Sequence, residues 1–348
     1  VSLQKFELPT GFLFTDDYSK GKLETLSIGD YGKKHNVKAD FLGLTRPITG
    51  VENQECMPLS EKWVITLSTQ FGCPMKCTFC DVPKVEFGGN ASFQDLKKQF
   101  YSAIRLFPNV KYTERLNIHF ARMGEPAFNN EVLEFSRWLS AAKGIIQKEV
   151  GLRIETLHPV FTTSMPMLSN TPGSEKLVTK LREWCNLKNS AFNGQAGLQL
   201  SINSTNEEQR RKMFGGMSLT LKEISEIAKL LPFPIGRKYC LNFAFATGYE
   251  IDAKLLKSLF DPEMFMVKIT PIHSNNACRE NSIQTVEGYS SFQPYEQAEK
   301  DLIAEGFDVL IFVPSMDEED GLVTCGNAIL GGSKLKVEGG LNIAGQYK

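Results

Sequence analysis

The 348-residue sequence contains no apolar run long enough to span a bilayer, and its N-terminus lacks the apolar core of a signal peptide. It has no low-complexity tract and no repeat at a solenoid period. Histidine is scarce: the four, His35, His119, His158 and His273, are too scattered to complete a metal motif by local spacing. There is no surplus of either charge, since 39 Lys and Arg against 40 Asp and Glu leave a formal net charge of −1. The total therefore gives no global attraction to nucleic acid. With 42% hydrophobic and 23% charged residues, the composition is that of a soluble globular protein with one large domain, or one domain plus an extension.

What the sequence does have is a local concentration of cysteine. Three of the eight cysteines, Cys73, Cys77 and Cys80, fall in the stretch Phe71–Cys80 with the spacing C-x3-C-x2-C. The stretch directly follows a strand-like run from Trp63 to Thr69. Thiolates crowded this way converge on one metal centre, and iron–sulfur clusters are held by cysteine thiolates. A cubane cluster wants four ligands and no fourth cysteine lies nearby, so one iron is left open. A structural zinc site more often shows two C-x2-C pairs or a Cys/His mixture. Disulfides would strain so short a loop and leave an odd thiol. The order of preference is cluster, then zinc, then disulfide. Unbridged cysteines and an oxygen-labile cluster fit a reducing, cytoplasmic setting. Cys56, in the loop Arg46–Pro58, reads as a buried or free thiol without chemistry.

Along the chain, residues 1 to about 60 are rich in turn formers, with β-like runs at Lys22–Ile28 and Val37–Leu44. Beyond Trp63, strand and helix patterns alternate. Strand-like runs fall at Trp63–Thr69, Leu116–Ala121, Pro159–Thr163, Gly197–Ile202, Tyr239–Ala246, Met264–Pro271 and Phe307–Val313. Ser92 and Asp95 form a capping-box-like helix start, and Asn130 is placed to cap the next helix. Further helices are expected at Ser174–Trp184, Thr220–Leu231, Ala253–Leu259 and Pro294–Glu305. About six βα units with a cysteine loop after the first strand predict an α/β fold, a partial (β/α)6 barrel with a small N-terminal β extension. The expected layout is 1–60 extension and linker, 61–335 barrel, and 336–348 a C-terminal tail. Polar motifs then gather at the strands' C-terminal ends: Met123-Gly124-Glu125-Pro126, Thr162-Thr163-Ser164, Ser201-Ile202-Asn203 and His273. Each is weak alone, and a Gly-Glu-Pro turn is more often only a turn. Their joint placement at one barrel mouth is the stronger signal.

The cysteine spacing, with the aromatic Phe79 just before the third cysteine, resembles the signature of the radical S-adenosylmethionine (SAM) enzymes. There SAM chelates the open iron of a 4Fe–4S cluster and is cleaved reductively to a 5′-deoxyadenosyl radical. Over roughly residues 60–335 the chain also resembles the radical-SAM rRNA adenine methyltransferases, the RlmN/Cfr family. This rests on Arg122-Met123-Gly124-Glu125-Pro126 opposite the family's GMGEP, Thr162-Thr163-Ser164 opposite STSG and Ser201-Ile202-Asn203 opposite SLH. Asn206–Arg210 opposite NDEIR and Thr324-Cys325-Gly326 opposite ACG complete it.

The resemblance implies roles. Cys73, Cys77 and Cys80 would hold the cluster, with Phe79 and Met123 beside the cofactor. Gly124 and Glu125 would hold the amino end of SAM, a sensible task for a carboxylate facing an ammonium. Thr162, Ser164, Ser201, Asn203 and His273 would line the pocket further along. Cys325, on a loop with Asp317–Gly321 just before it, would accept a methyl group as a thiolate nucleophile. An electron donor such as flavodoxin or ferredoxin is implied.

The sequence also departs from the family. Thr66 stands where the family has its resolving cysteine, and a hydroxyl is too weak a nucleophile to release a sulfur-linked intermediate. Cys278, after the sixth strand, is the candidate stand-in. Asn203 replaces the SLH histidine, and His273 replaces an asparagine. The family's N-terminal helical RNA-binding domain has no counterpart ahead of the β extension, which points to a smaller substrate or to targeting by a partner, with nucleic acid left open. Two alternatives stand beside methyl transfer: hydrogen abstraction or rearrangement on a small molecule, and a non-catalytic cluster- or zinc-binding module.

Overall fold

Alternating apolar residues in the strand runs demand a layer on one side of a sheet, and the intervening helical patterns supply it. The computed structural model of the protein describes residues 3–8, 10–30, 57–168, 174–285, 293–313 and Ile329. Three strands, β1 (Gln4–Leu8), β2 (Gly11–Tyr18) and β3 (Gly21–Gly29), form an antiparallel meander. β3 pairs antiparallel with β4 (Lys62–Leu67), Leu26 opposite Thr66, so the extension and the barrel share one sheet across the expected boundary at residue 60. A two-stranded ribbon follows, β5 (Gln70–Phe71) against β6 (Gly89–Asn90). The parallel wall continues from β4 through β7 (Tyr112–Phe120), β8 (Arg153–Thr163), β9 (Gly197–Ser201), β10 (Tyr239–Phe245), β11 (Phe265–Pro271) and β12 (Val309–Ile311). Six crossovers join these seven strands. They carry α1 (Phe93–Arg105), α2 (Glu131–Ala141) with α3 (Lys143–Val150), and α4 (Ser174–Ser190). The later ones carry α5 (Glu207–Met213) with α6 (Leu221–Lys229), α7 (Ala253–Leu259), and α8 (Asn276–Glu280) with α9 (Gln293–Ala304). This is the partial barrel that the alternation of strands and helices implies.

The period-two pattern decides which side chains meet the helices. Trp63, Ile65 and Leu67 of β4, Leu116, Ile118 and Phe120 of β7, and Phe265, Val267 and Ile269 of β11 are buried in one core with Leu96, Phe100, Phe135 and Trp184 of the helices. Their neighbours in sequence therefore face the barrel interior. Edge-to-face contacts lock this layer: Trp63 and Phe107 lie 5.4 Å apart, Phe120 and Trp184 6.1 Å. Each such side chain withdrawn from water contributes about 1.5–3 kcal/mol.

The capping box at Ser92 is present, with its hydroxyl accepting from Asp95 N at 3.1 Å and Asp95 accepting from Ser92 N at 2.8 Å. The cap of α2 differs from expectation. Asn130 makes no side-chain cap; Asn129 Oδ1 accepts from Glu131 N at 3.0 Å instead, because its amide is anchored to Thr69 O and Ala91 O, each at 2.8 Å. The short helices α3, α5 and α8 were not expected. Val37–Leu44, Cys56 and the tail 336–348 lie outside the described residues.

Candidate active site

The cysteine loop leaves the end of β4 at the C-terminal rim of the barrel and is clamped by three neighbours. The turn after β7 supports it first: Met123 O accepts from Thr69 N at 2.7 Å and from Gln70 N at 3.3 Å. Gly124 has φ +93°, and a Cβ there would lie 2.6 Å from Gln70 Cβ, so only glycine lets the two loops touch. The second clamp is the end of α5. Thr78 N donates to Met213 O at 2.8 Å, and Gly215, with φ +58°, leaves no room for a Cβ, which would meet Lys76 O at 2.4 Å. The third is α8, whose Asn276 and Ala277 N–H groups donate to Asp81 at 3.2 and 2.9 Å, while Asn275 Nδ2 reaches Phe79 O at 2.8 Å. Phe79 packs edge-on to Phe214, 5.7 Å away, in a small apolar cluster with Met213, Ile272 and Ile283.

The three sulfurs share one electrostatic neighbourhood. Burial is the largest influence on each, pushing the Cys73 thiol up to about 12, Cys80 up to about 11 and Cys77 well above its ordinary value. The negative charge of Cys80 further opposes ionisation of Cys73 and Cys77, while N–H groups of Met75 and Gly124 favour the Cys73 thiolate. Such thiols ionise only against a strong positive charge, which a metal centre supplies. Among the described residues no three His, Cys, Asp or Glu side chains converge to hold a single metal ion. A cubane takes each protein thiolate on a different iron, so three half-buried cysteines spread over one loop suit it better than they suit a lone zinc.

The Glu125 carboxylate, 4% exposed, sits beside this loop. Its Oε2 accepts from Ser164 N at 2.8 Å and Ser164 Oγ at 2.6 Å, and its Oε1 from Ala127 N at 3.0 Å. Burial raises its pKa, while these donors favour the charged form. The Thr163 side chain donates to it as well, so the protein itself supplies donors for about all four acceptor positions of the carboxylate. Gln70 Oε1 accepts from Glu125 N at 2.8 Å, tying the turn back to the cysteine loop. Lys180, whose pKa burial lowers to about 8, donates to Ala127 O at 2.6 Å from α4.

The structure thus brings Met123, Gly124, Glu125 and Ser164 into one hydrogen-bonded rim with the cysteine loop. Thr162 faces the interior of β8, and its Oγ1 lies 3.5 Å from Gln199 Oε1 of β9. Ser201 ends β9; its carbonyl and that of Ile202 accept from the buried Arg210 at 2.9 and 2.5 Å. Asn203 is buried in the left-handed region, φ +62°, with Oδ1 accepting from Ala244 N at 3.0 Å. This conformation suits Asn better than most residues. His273, 8% exposed, follows β11. Thr66 faces inward on β4, paired in register with His119 of β7. Cys325 and Asp317–Gly321 lie outside the described residues.

One expectation is corrected. Cys278 is 1% exposed, packed under the cysteine loop with its thiol 3.5 Å from Phe79 O, the acceptor of its S–H. A resolving thiol must be accessible, and this one is buried. Gln70, Asn129 and Lys180 were not anticipated. Arg210 was matched only as the end of Asn206–Arg210, with no role given to it.

No protein-family model matches the chain. Among curated proteins it is 25% identical over 205 residues to the dual-specificity RNA methyltransferase RlmN of Campylobacter hominis, covering 58% of this chain and 51% of that protein. To RlmN of Wolinella succinogenes it is 26% identical over 201 residues, covering 57% and 49%. The chain thus spans about half the length of the curated relatives it matches. Among solved structures, a radical SAM methyltransferase from Sphaerobacter thermophilus superposes with a TM-score of 0.56 at 17% identity, over 89% of this chain and 76% of that one. A divergent, RlmN-like member of the radical SAM superfamily fits these likenesses. Among the described residues no helix is long and apolar enough to cross a membrane.

Proposed function

Starting from this kinship with RlmN, we propose that the protein is a radical SAM enzyme of the methyltransferase-like branch. Cys73, Cys77 and Cys80 would hold a 4Fe–4S cluster, which when bound supplies the electron for reductive cleavage of SAM. The observation that carries the reading is the rim in which Gly124 and Glu125 contact the cysteine loop and Ser164 together. There the buried Glu125 carboxylate would face the SAM ammonium as its opposite charge. Met123 and Phe79 would shape the pocket around the reacting end. Thr162, Ser201, Asn203 and His273 would line its continuation across β8, β9 and the end of β11. Cys325 would carry the methyl group, and a flavodoxin- or ferredoxin-like donor would provide the reductant.

The test is anaerobic reconstitution with iron and sulfide, followed by SAM and dithionite. 5′-Deoxyadenosine should form; none from cluster-loaded protein would sink the proposal. Mass spectrometry after incubation with SAM should find a methyl group on Cys325, and an unmodified thiol would remove its carrier role. A second reading, hydrogen abstraction on a small molecule, is favoured by Thr66 and by the burial of Cys278, which leave the methyl-transfer cycle without its resolving thiol. SAM consumed per turnover separates the two: two molecules for methyl transfer, one or fewer for abstraction.

A further inference from the structure

Below the rim, the inward faces of the strands carry an unusual set of charges. Lys62 starts β4, Arg115 lies opposite it on β7, and Lys268 is on β11, each alternating with outward core residues. Arg237 precedes β10, and its guanidinium lies 3.4 Å from where a Cβ on Gly197 would stand, so the missing side chain on β9 makes its berth. His119 and His158 face the same space. Lys268, Arg237, Lys62 and Arg115 all act on His119, and three of them act on His158; burial and these cations lower both histidines to about 3, so both are neutral. Arg237 and Lys62 also press on Lys268, and Arg237 on Arg115.

Among the described residues little balances this charge. Asp30 pairs with Lys62 and also favours the charged forms of Arg115 and Lys268. The Cys240 thiol nearby is pushed up to about 11 and stays neutral. Among the described residues no carboxylate lies within ion-pair distance of Arg115, Arg237 or Lys268. Arg115 Nε spends one donor on Asn117 Oδ1 at 2.9 Å. His158, 6% exposed, has Nδ1 buried without a partner, and its Nε2 is 3.1 Å from Thr156 Oγ1. Like charges gathered in a partly enclosed space destabilise a fold unless something neutralises them. An unpartnered buried ring nitrogen also costs free energy until it is paired.

We propose that this chamber is an anion subsite that takes a compact phosphate-bearing group, the end of the substrate remote from the reacting carbon. The assignment of a reacting end above it rests on the radical SAM reading; the anion site itself does not. Two guanidinium forks favour phosphate, which they can grip bidentately, over a single carboxylate. The cations sit on inward strand faces inside the wall, which favours a small phosphomonoester over a polymer backbone.

The experiment is calorimetric titration of the full chain at low salt with orthophosphate, adenosine 5′-monophosphate and adenosine. Histidine NMR is followed alongside. Saturable phosphate binding is expected, tighter for the monophosphate than for adenosine, with shifts of the His119 and His158 imidazole signals. The Arg237→Gln/Lys268→Gln double variant should bind phosphate at least about tenfold more weakly, the loss of one charged hydrogen bond or more. Lys229→Gln, an exposed surface change, should bind as wild type. Absence of saturable binding, unmoved histidine signals, or undiminished binding by the folded double variant would overturn the proposal. So would an oligoribonucleotide without terminal phosphates that displaces phosphate from the chamber. Wild-type protein that binds phosphate but forms no 5′-deoxyadenosine would sink the radical SAM reading alone, and the converse result would sink only the anion site.

Discussion

The two ends of the barrel interior solve the problem of buried polarity in opposite ways. At the rim, Glu125 is met by Ser164 and Ala127, and the cysteine loop by Met123, Met213 and Asn275, so the protein itself satisfies what it buries. In the lower half, cations face one another and His158 Nδ1 has no partner. The rim is organised before any ligand arrives, as precise positioning requires. The lower chamber holds its charge at the expense of stability, which is how specificity for an oppositely charged group is built in.

The contrast can be broken at several points. The largest effect belongs to the cysteines: Cys77→Ala should abolish cluster loading and reduce 5′-deoxyadenosine to background, read by iron content and chromatography. Glu125→Gln keeps the shape of the rim but removes its charge. It should weaken SAM binding by about 1.5–3 kcal/mol, roughly tenfold or more in Kd, measured by equilibrium dialysis on loaded protein. An unchanged Kd would mean that Glu125 serves only Ser164 and Ala127.

The chamber should declare itself through pH. His119 and His158 have folded pKa values far below their unfolded ones, so between about pH 6.5 and 5 the unfolded chain binds protons that the folded chain refuses. Stability is therefore lost as pH falls, by at most about 1.4 kcal/mol per pH unit for each histidine. Urea unfolding at pH 7, 6 and 5 measures this slope. Added phosphate should flatten it by neutralising Lys62, Arg115, Arg237 and Lys268, and the His119→Gln/His158→Gln variant should lack it. The smallest expected effect is a gain: Lys268→Gln should stabilise the phosphate-free protein by about 1 kcal/mol or less by relieving repulsion, read as a raised urea midpoint.

Much of the upper half was legible in the sequence. Cys73, Cys77 and Cys80 are close in sequence, so their convergence needs no knowledge of the fold, and strand-end polar motifs announce a barrel mouth once strands alternate with helices. Ser92 and Asp95 cap α1 as their spacing implies. The lower chamber was not legible in the same way. Arg115, Arg237 and Lys268 come from distant strands and become neighbours only through the register, so no spacing signals them. The available hint was that Lys268 interrupts the apolar run Met264–Pro271 and Arg115 stands just before the run Leu116–Ala121, which reads as noise until the facing strands are known. The cap by Asn129 rather than Asn130 had a similar cause, since the deciding partners, Thr69 and Ala91, lie on another element. Cys278 looked available because sequence records a thiol's position in a loop but not what lies over it.

The antiparallel pairing of β3 with β4 has a further consequence. A strand has two hydrogen-bonding edges, and those of β4 are committed to β3 and β7. β12 therefore finds no free edge on β4, and among the described strands the wall is held short of a ring by pairing rather than by motion. The seam between β4 and β12 is a fixed property of the sheet. Loss of the N-terminal meander would not merely trim the molecule; it would hand β4 an open edge, free to pair with a second chain.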